Sequence, residues 1–210
     1  MDYGLGNLYS VKQACEHVGL GAAITSSKQE ILCSDAVILP GVGAFGDAMA
    51  SLRRLDLTGV IRDIALSAKP LLGICLGMQL LMTESCEFGR HQGLGIITGT
   101  VERLQSSDKG GRRLKVPQVG WNHIWRVREW TGTPLGGLGD GDFMYFVHSY
   151  YVSPADTGMI LSVSRYGVTQ FCSSLQRRNI FACQFHPERS GQPALRIYHN
   201  LKALLEKAVS

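Results

Sequence analysis

The sequence has no CxxC pair, no internal repeat, no low-complexity tract and no apolar run long enough to cross a bilayer. Each absence removes a class of function. Without CxxC spacing, neither a thiol-ligated zinc site nor a redox dithiol is signalled. The start lacks the basic-then-apolar pattern of a secretory leader, so the cytoplasm is the expected compartment and no membrane partner is expected. Charge of one sign is also scarce. A formal net charge of +4 over 210 residues is too small an excess to imply a polyanionic partner, so no nucleic acid is expected. The densest basic cluster, KGGRRLK at 109–115, is broken by glycines and reads as a solvated loop or hairpin tip. Six cysteines form an even number, but a chain of this size needs no disulfide framework.

What is present suits one globular domain over 1–210 with a substantial core. Hydrophobic residues make up 45% and charged residues 18%. Residues 8–18, LYSVKQACEHV, read as a helix behind Asn7 as N-cap. AAIT at 22–25, AVIL at 36–39 and PLLGI at 70–74 are short apolar runs of the kind buried in a parallel sheet. Helical spacing marks 46–55 and 58–68, a further helix is read from Met78 to Met82, and a terminal helix over 193–208. Between about 96 and 185, short runs rich in Val, Ile, Phe and Tyr read as mainly β structure. The pattern is α/β: an open, mostly parallel sheet flanked by helices, with an added β-rich section.

Chemistry enters at LLGICLGMQLLM, residues 71–82. Gly73 and Gly77 stand two residues before and two after Cys75. A strand passing at once into a helix, with small residues at those positions, is the pattern of a nucleophile elbow. The turn lifts the side chain above the carboxyl edge of the sheet, where open α/β sheets place ligands. The next N–H, at Leu76, can point at a developing oxyanion. A core cysteine with incidental glycines is the plain alternative.

A thiol nucleophile needs a base and a group to orient it. FACQFHPERSG, 181–191, offers His186 at the end of an apolar strand, with Pro187 fixing the turn so that Glu188 can fold back to the imidazole. ILPGVGAFGDAM, 38–49, runs a strand into two glycines around Val42, which lets a peptide unit turn its N–H inward as a second oxyanion donor.

With Cys75, HPE and PGVG together, the chain resembles the class I (triad) glutamine amidotransferases, whose domain is flavodoxin-like. Within them it is most similar to the glutaminase subunits of imidazole glycerol phosphate synthase, of histidine biosynthesis. The similarity covers nearly the whole chain and rests on ordered blocks: DYGLGN at 2–7, PGVGAF at 40–45, GICLGMQ at 73–79, GLG at 93–95, VPQVGWN at 116–122, YFVHSYY at 145–151 and QFHPERSG at 184–191. Gln118 stands where similar chains often have histidine.

The resemblance implies a catalytic triad of Cys75, His186 and Glu188, with oxyanion donors at Val42 and Leu76. It implies that Gly43, Gln79, Glu87, His148, Ser149 and Tyr150 hold L-glutamine. It further implies, as heterodimer partner, a (β/α)8-barrel cyclase subunit, with Asn7, Trp121, Asn122, Tyr145 and Arg189 along the interface and ammonia passage. It implies no metal and no organic cofactor. Similar chains carry a short apolar strand ahead of DYG, and here Met1 leads directly to Asp2, so the first strand of the sheet is expected to be missing. Two other functions fit part of the pattern: a paralogous glutaminase feeding the amidination of a surface sugar, and a non-catalytic thiol sensor of similar fold. A sensor thiol has no need of Gln79, Glu87 or the His186–Glu188 pair.

Overall fold

The structure, a computed structural model, describes residues 1–108 and 110–209. Its first helix, α1 (Leu8–His17), turns Val11, Ala14 and Cys15 inward at helical spacing. It ends where Leu20 N–H bonds back to Cys15 O around Gly19, which has φ +76°. Asn7 occupies the N-cap position, but its side chain makes no capping bond. A short helix that the sequence pattern did not signal follows, α2 (Lys28–Cys33), capped by Ser27 Oγ accepting from Glu30 N. Next come β1 (Val37–Leu39), α3 (Phe45–Arg54), α4 (Thr58–Leu66) and β2 (Leu71–Ile74).

Helix α5 (Leu76–Leu80) starts earlier than the helix expected from Met78 to Met82 and ends sooner. Met82 instead opens β3 (Met82–Ser85), because the chain leaves the helix to pair with a second sheet. The β-rich section then supplies β4 (His91–Gln92), β5 (Ile97–Arg103), β6 (Gln118–His123), β7 (Trp125–Arg126), β8 (Phe143–His148), β9 (Tyr150–Pro154), β10 (Ile160–Tyr166), β11 (Thr169–Arg177) and β12 (Ile180–Cys183). The closing helix is α6 (Gly191–Val209). In the basic cluster, Lys109 lies outside the described residues. The rest forms a hairpin-like loop closed by a bridge between Ser107 and Arg113.

The main sheet runs in the order β1-β2-β12-β11-β10-β7. Its β1, β2 and β12 are parallel, while β11, β10 and β7 extend it antiparallel, so the parallel part is three strands of six. Side chains alternate across it as period two requires. Leu71, Ile180 and Ala182 face a core shared with α3 and α4, and Leu72, Ile74, Phe181 and Cys183 face one shared with α1 and α6. A second sheet, β4-β3-β5-β9, and a two-stranded ribbon, β6-β8, stand beside the carboxyl edge of the parallel strands. Among the described residues no helix is long and apolar enough to cross a membrane.

Residues 22–25 do not form the expected strand. A strand exists only where a partner pairs with it, and here, among the described residues, the one backbone bond is Asp2 N–H to Thr25 O, 2.8 Å. On the other side the Met1 ammonium donates to Ile38 O, 2.8 Å. Met1 and Asp2 thus span a gap between 22–25 and β1. Behind them lies a groove of about 520 Å³ whose walls include Val11, Ala22, Ile24, Ile38 and Leu201.

Candidate active site

Cys75 follows the last residue of β2 and sits at φ 55°, ψ −110°, a strained position for a residue with a Cβ. The flanking glycines make that turn possible. A Cβ on Gly77 would lie 1.8 Å from Leu39 O, and one on Gly73 would lie 3.2 Å from Gly77 C and O and from Ala182 Cβ. Helix α5 is therefore pressed against both β1 and β2, which no larger residue allows. Gly41 is equally confined: its Cβ would meet Tyr3 Oη at 2.2 Å and Leu76 Cβ at 3.0 Å. The Pro40–Gly43 turn consequently rests on the elbow. Leu76 N–H lies in the first turn of α5, where no helical acceptor is available to it.

Strands β2 and β12 are parallel neighbours, with Ile74 opposite Cys183 and Cys75 N–H bonded to Cys183 O at 2.8 Å. Cys75 and His186 accordingly leave the same edge of the sheet side by side. Pro187 opens a single 3-10 turn, Pro187–Arg189, that folds Glu188 back. His186 Nδ1 meets Glu188 Oε1 at 2.7 Å, and the two side chains are only 4% and 1% exposed. The backbone is tied as well: His186 N–H donates to Tyr145 O, and Ser190 Oγ donates to His186 O.

His186 Nε2 is buried without a hydrogen-bond partner. Burial works against the imidazolium. The neighbouring Cys75 and the Glu188 carboxylate outweigh it and push His186 up to about 10. The imidazole thus stands between thiol and carboxylate, with Nδ1 taken by Glu188 and Nε2 free.

A chain of amides backs the thiol. Gln184 Nε2 lies 3.5 Å from Cys75 Sγ, and Gln79 Nε2 donates to Gln184 Oε1 at 3.1 Å and to Tyr150 O at 2.8 Å. Gln184 is fully buried and was not among the candidate residues. Its signal was there: a lone amide inside the apolar strand FACQF. On the far side, Val147 O lies 3.8 Å from Cys75 Sγ. His148 Nδ1 donates to Tyr150 O at 2.9 Å, since a carbonyl can only accept, and its Nε2 is buried without a partner. Burial pushes His148 down to about 4, with a small further push from His186, so its imidazole is neutral.

Of the other candidates, Gln79, His148 and Tyr150 converge behind the thiol. Ser149, between His148 and Tyr150, makes its bond away from the thiol, its O accepting from Leu104 N at 2.9 Å. Val42 is 39% exposed and Gly43 adopts φ +113° in the turn above the elbow. Glu87 accepts from Phe45 N at 2.6 Å, at the start of α3. The interface candidates divide. Trp121 is 55% exposed and packs edge-on to Tyr145 at 6.0 Å, and the Arg189 guanidinium lies 5.1 Å above the Tyr145 ring. Asn122, one residue on, points to the other face and bonds Arg165 O. Asn7 is half-buried at the start of α1.

The arrangement of elbow thiol, buried His–Glu pair and glycine turn defines a class of protein. The family described as Glutamine amidotransferase class-I matches residues 1–202, and the chain belongs to that family. Within it, the chain groups with components of one synthase. It is 45% identical over 208 residues to Imidazole glycerol phosphate synthase subunit HisH of Aquifex aeolicus, covering 99% of this chain and 96% of that one. It is 46% identical over 201 residues to the protein of the same name from Syntrophotalea carbinolica, covering 95% and 96%. Among solved structures, PurLQS from Thermotoga maritima aligns with a TM-score of 0.74 at 18% identity, over 97% of this chain and 96% of that one. A putative GMP synthase component from Thermoplasma acidophilum aligns at 0.72 and 18%, over 100% and 93%. At such identity these two show the shared fold alone.

Proposed function

We propose that this glutaminase subunit hydrolyses L-glutamine through Cys75, His186 and Glu188, and that the ammonia passes to a barrel cyclase subunit. The observation that carries the proposal is the buried His186–Glu188 pair beside a strained cysteine on a glycine-flanked elbow. Cys75 attacks the side-chain amide of glutamine. The N–H groups of Leu76 and, once turned inward, Val42 receive the oxyanion. His186 carries the proton to the leaving ammonia, then takes one from the water that releases glutamate from the thioester. Glu188 fixes the imidazole by accepting from Nδ1, which leaves Nε2 to face the thiol. Gly43, Gln79, Glu87 and the 148–150 segment hold the substrate, and Gln184 steadies the sulfur.

The ribbon supports a partner on the same edge. Val119, Trp121 and Phe143 are exposed on one face of it, and Val147 O and Tyr145 O on its strand β8 reach the Cys75–His186 pair. A partner covering that face would shield the exit from water, where ammonia becomes unreactive ammonium. Trp121, Tyr145 and Arg189 are its contacts in this proposal, with Asn7 and Asn122 flanking. The ammonia is used on a ribulosyl phosphate intermediate to give imidazole glycerol phosphate and an aminoimidazole carboxamide ribotide, in the cytoplasm.

Glutamate release by the chain alone, and with the cyclase and its nucleotide ligand, tests the proposal. A two-state peptide at Val42 that turns its N–H inward on complex formation adds about 2.7–4 kcal/mol of transition-state stabilisation. The expected result is therefore a rise of about a hundred- to a thousandfold on adding partner and ligand. A lone chain already at full rate, or a complex without glutamate release, would overturn it.

A further inference from the structure

We infer that Glu87 is a positioning residue for the oxyanion turn: by accepting from Phe45 N–H it anchors the segment that carries Val42. The inference rests on the glutaminase reading and adds a second task to a residue assigned there to the substrate. Helix α3 begins at Phe45 behind Ala44, whose side chain has nothing with which to cap. The acceptor comes from 42 residues further along the chain: Glu87 Oε2 to Phe45 N, 2.6 Å. A carboxylate is suited to a helix start, where unpaired N–H groups point outward.

The turn between β1 and α3 is thus a span on two supports. At one end Pro40 O accepts from Tyr3 Oη at 2.7 Å, and Gly41 is wedged between Tyr3 and Leu76. At the other end stands Glu87. Between them Val42 is 39% exposed and Gly43 sits at φ +113°, so little else restrains the peptide that presents the donor. The loop that presents Glu87 is itself shaped for the purpose. Glu87 N–H bonds Ser85 Oγ at 3.2 Å. Phe88 takes φ +51° although it is not glycine, with its ring 86% exposed. The loop turns the carboxylate to Phe45 N–H and leaves the ring in solvent. One carboxylate oxygen serves Phe45, which leaves the other for the glutamine ammonium. Occupancy of the substrate seat and the geometry of the oxyanion turn therefore share one side chain.

Glu87→Gln and Glu87→Ala, each assayed as the complete complex, separate the two tasks. Glutamine keeps an oxygen for Phe45 N–H and loses the charge, and alanine loses both. KM for glutamine should rise in both variants. The kcat should be about tenfold or more lower in Glu87→Ala than in Glu87→Gln. Equal kcat values in the two variants, whether both kept or both lost, would overturn the inference. Amide exchange at Phe45, followed by NMR on the full chain, reads the anchor without any activity. It should quicken in Glu87→Ala and not in Glu87→Gln, and equal exchange in all three would also overturn it. A wild-type complex that releases no glutamate would instead sink the functional reading, with the exchange result still deciding the anchor.

Discussion

Gly77→Ala is predicted to destabilise the chain and disable the elbow, while the same change at Gly59 is harmless. The added Cβ at 77 would stand 1.8 Å from Leu39 O and 2.8 Å from Leu39 C. Carbon and carbonyl oxygen settle no closer than about 3.3 Å, so α5 and β1 must part by about 1.5 Å. Neither side can yield cheaply. The obstacle is main chain at the end of β1, and Leu76 through Leu80 are all buried. Overpacking of this kind costs about 1–3 kcal/mol and occasionally more. In a domain of this size each kcal/mol moves Tm by about 2–4 °C, so a fall of about 2–12 °C is expected. The displaced α5 carries Leu76 N–H with it, and a misplacement of about 1 Å costs about a hundredfold in rate. At Gly59, in α4, a Cβ meets nothing within 4 Å, and alanine in a helix gains up to about 1 kcal/mol over glycine. Thermal unfolding of the two variants beside wild type, with glutamate release from each complex, reads both effects. Equal Tm shifts, or a Gly77→Ala complex at full rate, would refute the packing argument.

Two further outcomes follow from burial and pairing. His148 is held down to about 4 in the fold, whereas an unfolded histidine titrates near 6.5. Between those values the unfolded chain binds the extra proton. The stability is thus fully present above about pH 6.5 and falls by up to about 3 kcal/mol towards pH 4. His148→Gln should flatten that acid limb in urea titrations at pH 7.5, 5.5 and 4.5, and an unchanged limb would contradict it. Adding about five or six apolar residues ahead of Met1 should place a strand against β1 and fill the groove. A higher Tm is expected, and an equal one would mean that the groove does not seat a strand.

The elbow was legible because its demand is local. Its two glycines stand within two residues of Cys75, so the pattern reads locally even though the atoms they make room for include Leu39 O and Ala182 Cβ from the neighbouring strands. His186 and Glu188 were legible for the same reason, being joined by one proline turn. The run from 71 to 82 hid its boundaries because apolar residues fill it apart from Gln79, so neither period two nor period 3.6 marks where β2, α5 and β3 meet. Residues 22–25 have strand composition, but strand identity belongs to a pair, and the pairing is not met. Gln184 was missed because its contact with Gln79 joins residues 105 apart in sequence. The GWN block left the facing of its residues open. Alternation along β6 sends Trp121 and Asn122 to opposite faces, so only the tryptophan joins Tyr145 and Arg189.

The most direct test of the central claim, that Cys75 is the nucleophile towards glutamine, is covalent trapping read by peptide mapping. The complex is treated with a glutamine-analogue electrophile and the modified cysteine is located by mass spectrometry, with Cys75→Ala as the parallel sample. Cys33 and Cys86 are exposed, and Cys15, Cys172 and Cys183 are buried, so chance alkylation and directed attack give different maps. Label on Cys75 alone is predicted, lost when excess glutamine is present. The Cys75→Ala complex should take no label and release no glutamate, yet still make product from added ammonium salts. Label on Cys33 or Cys86 with Cys75 untouched, or glutamate release by Cys75→Ala, would contradict the account.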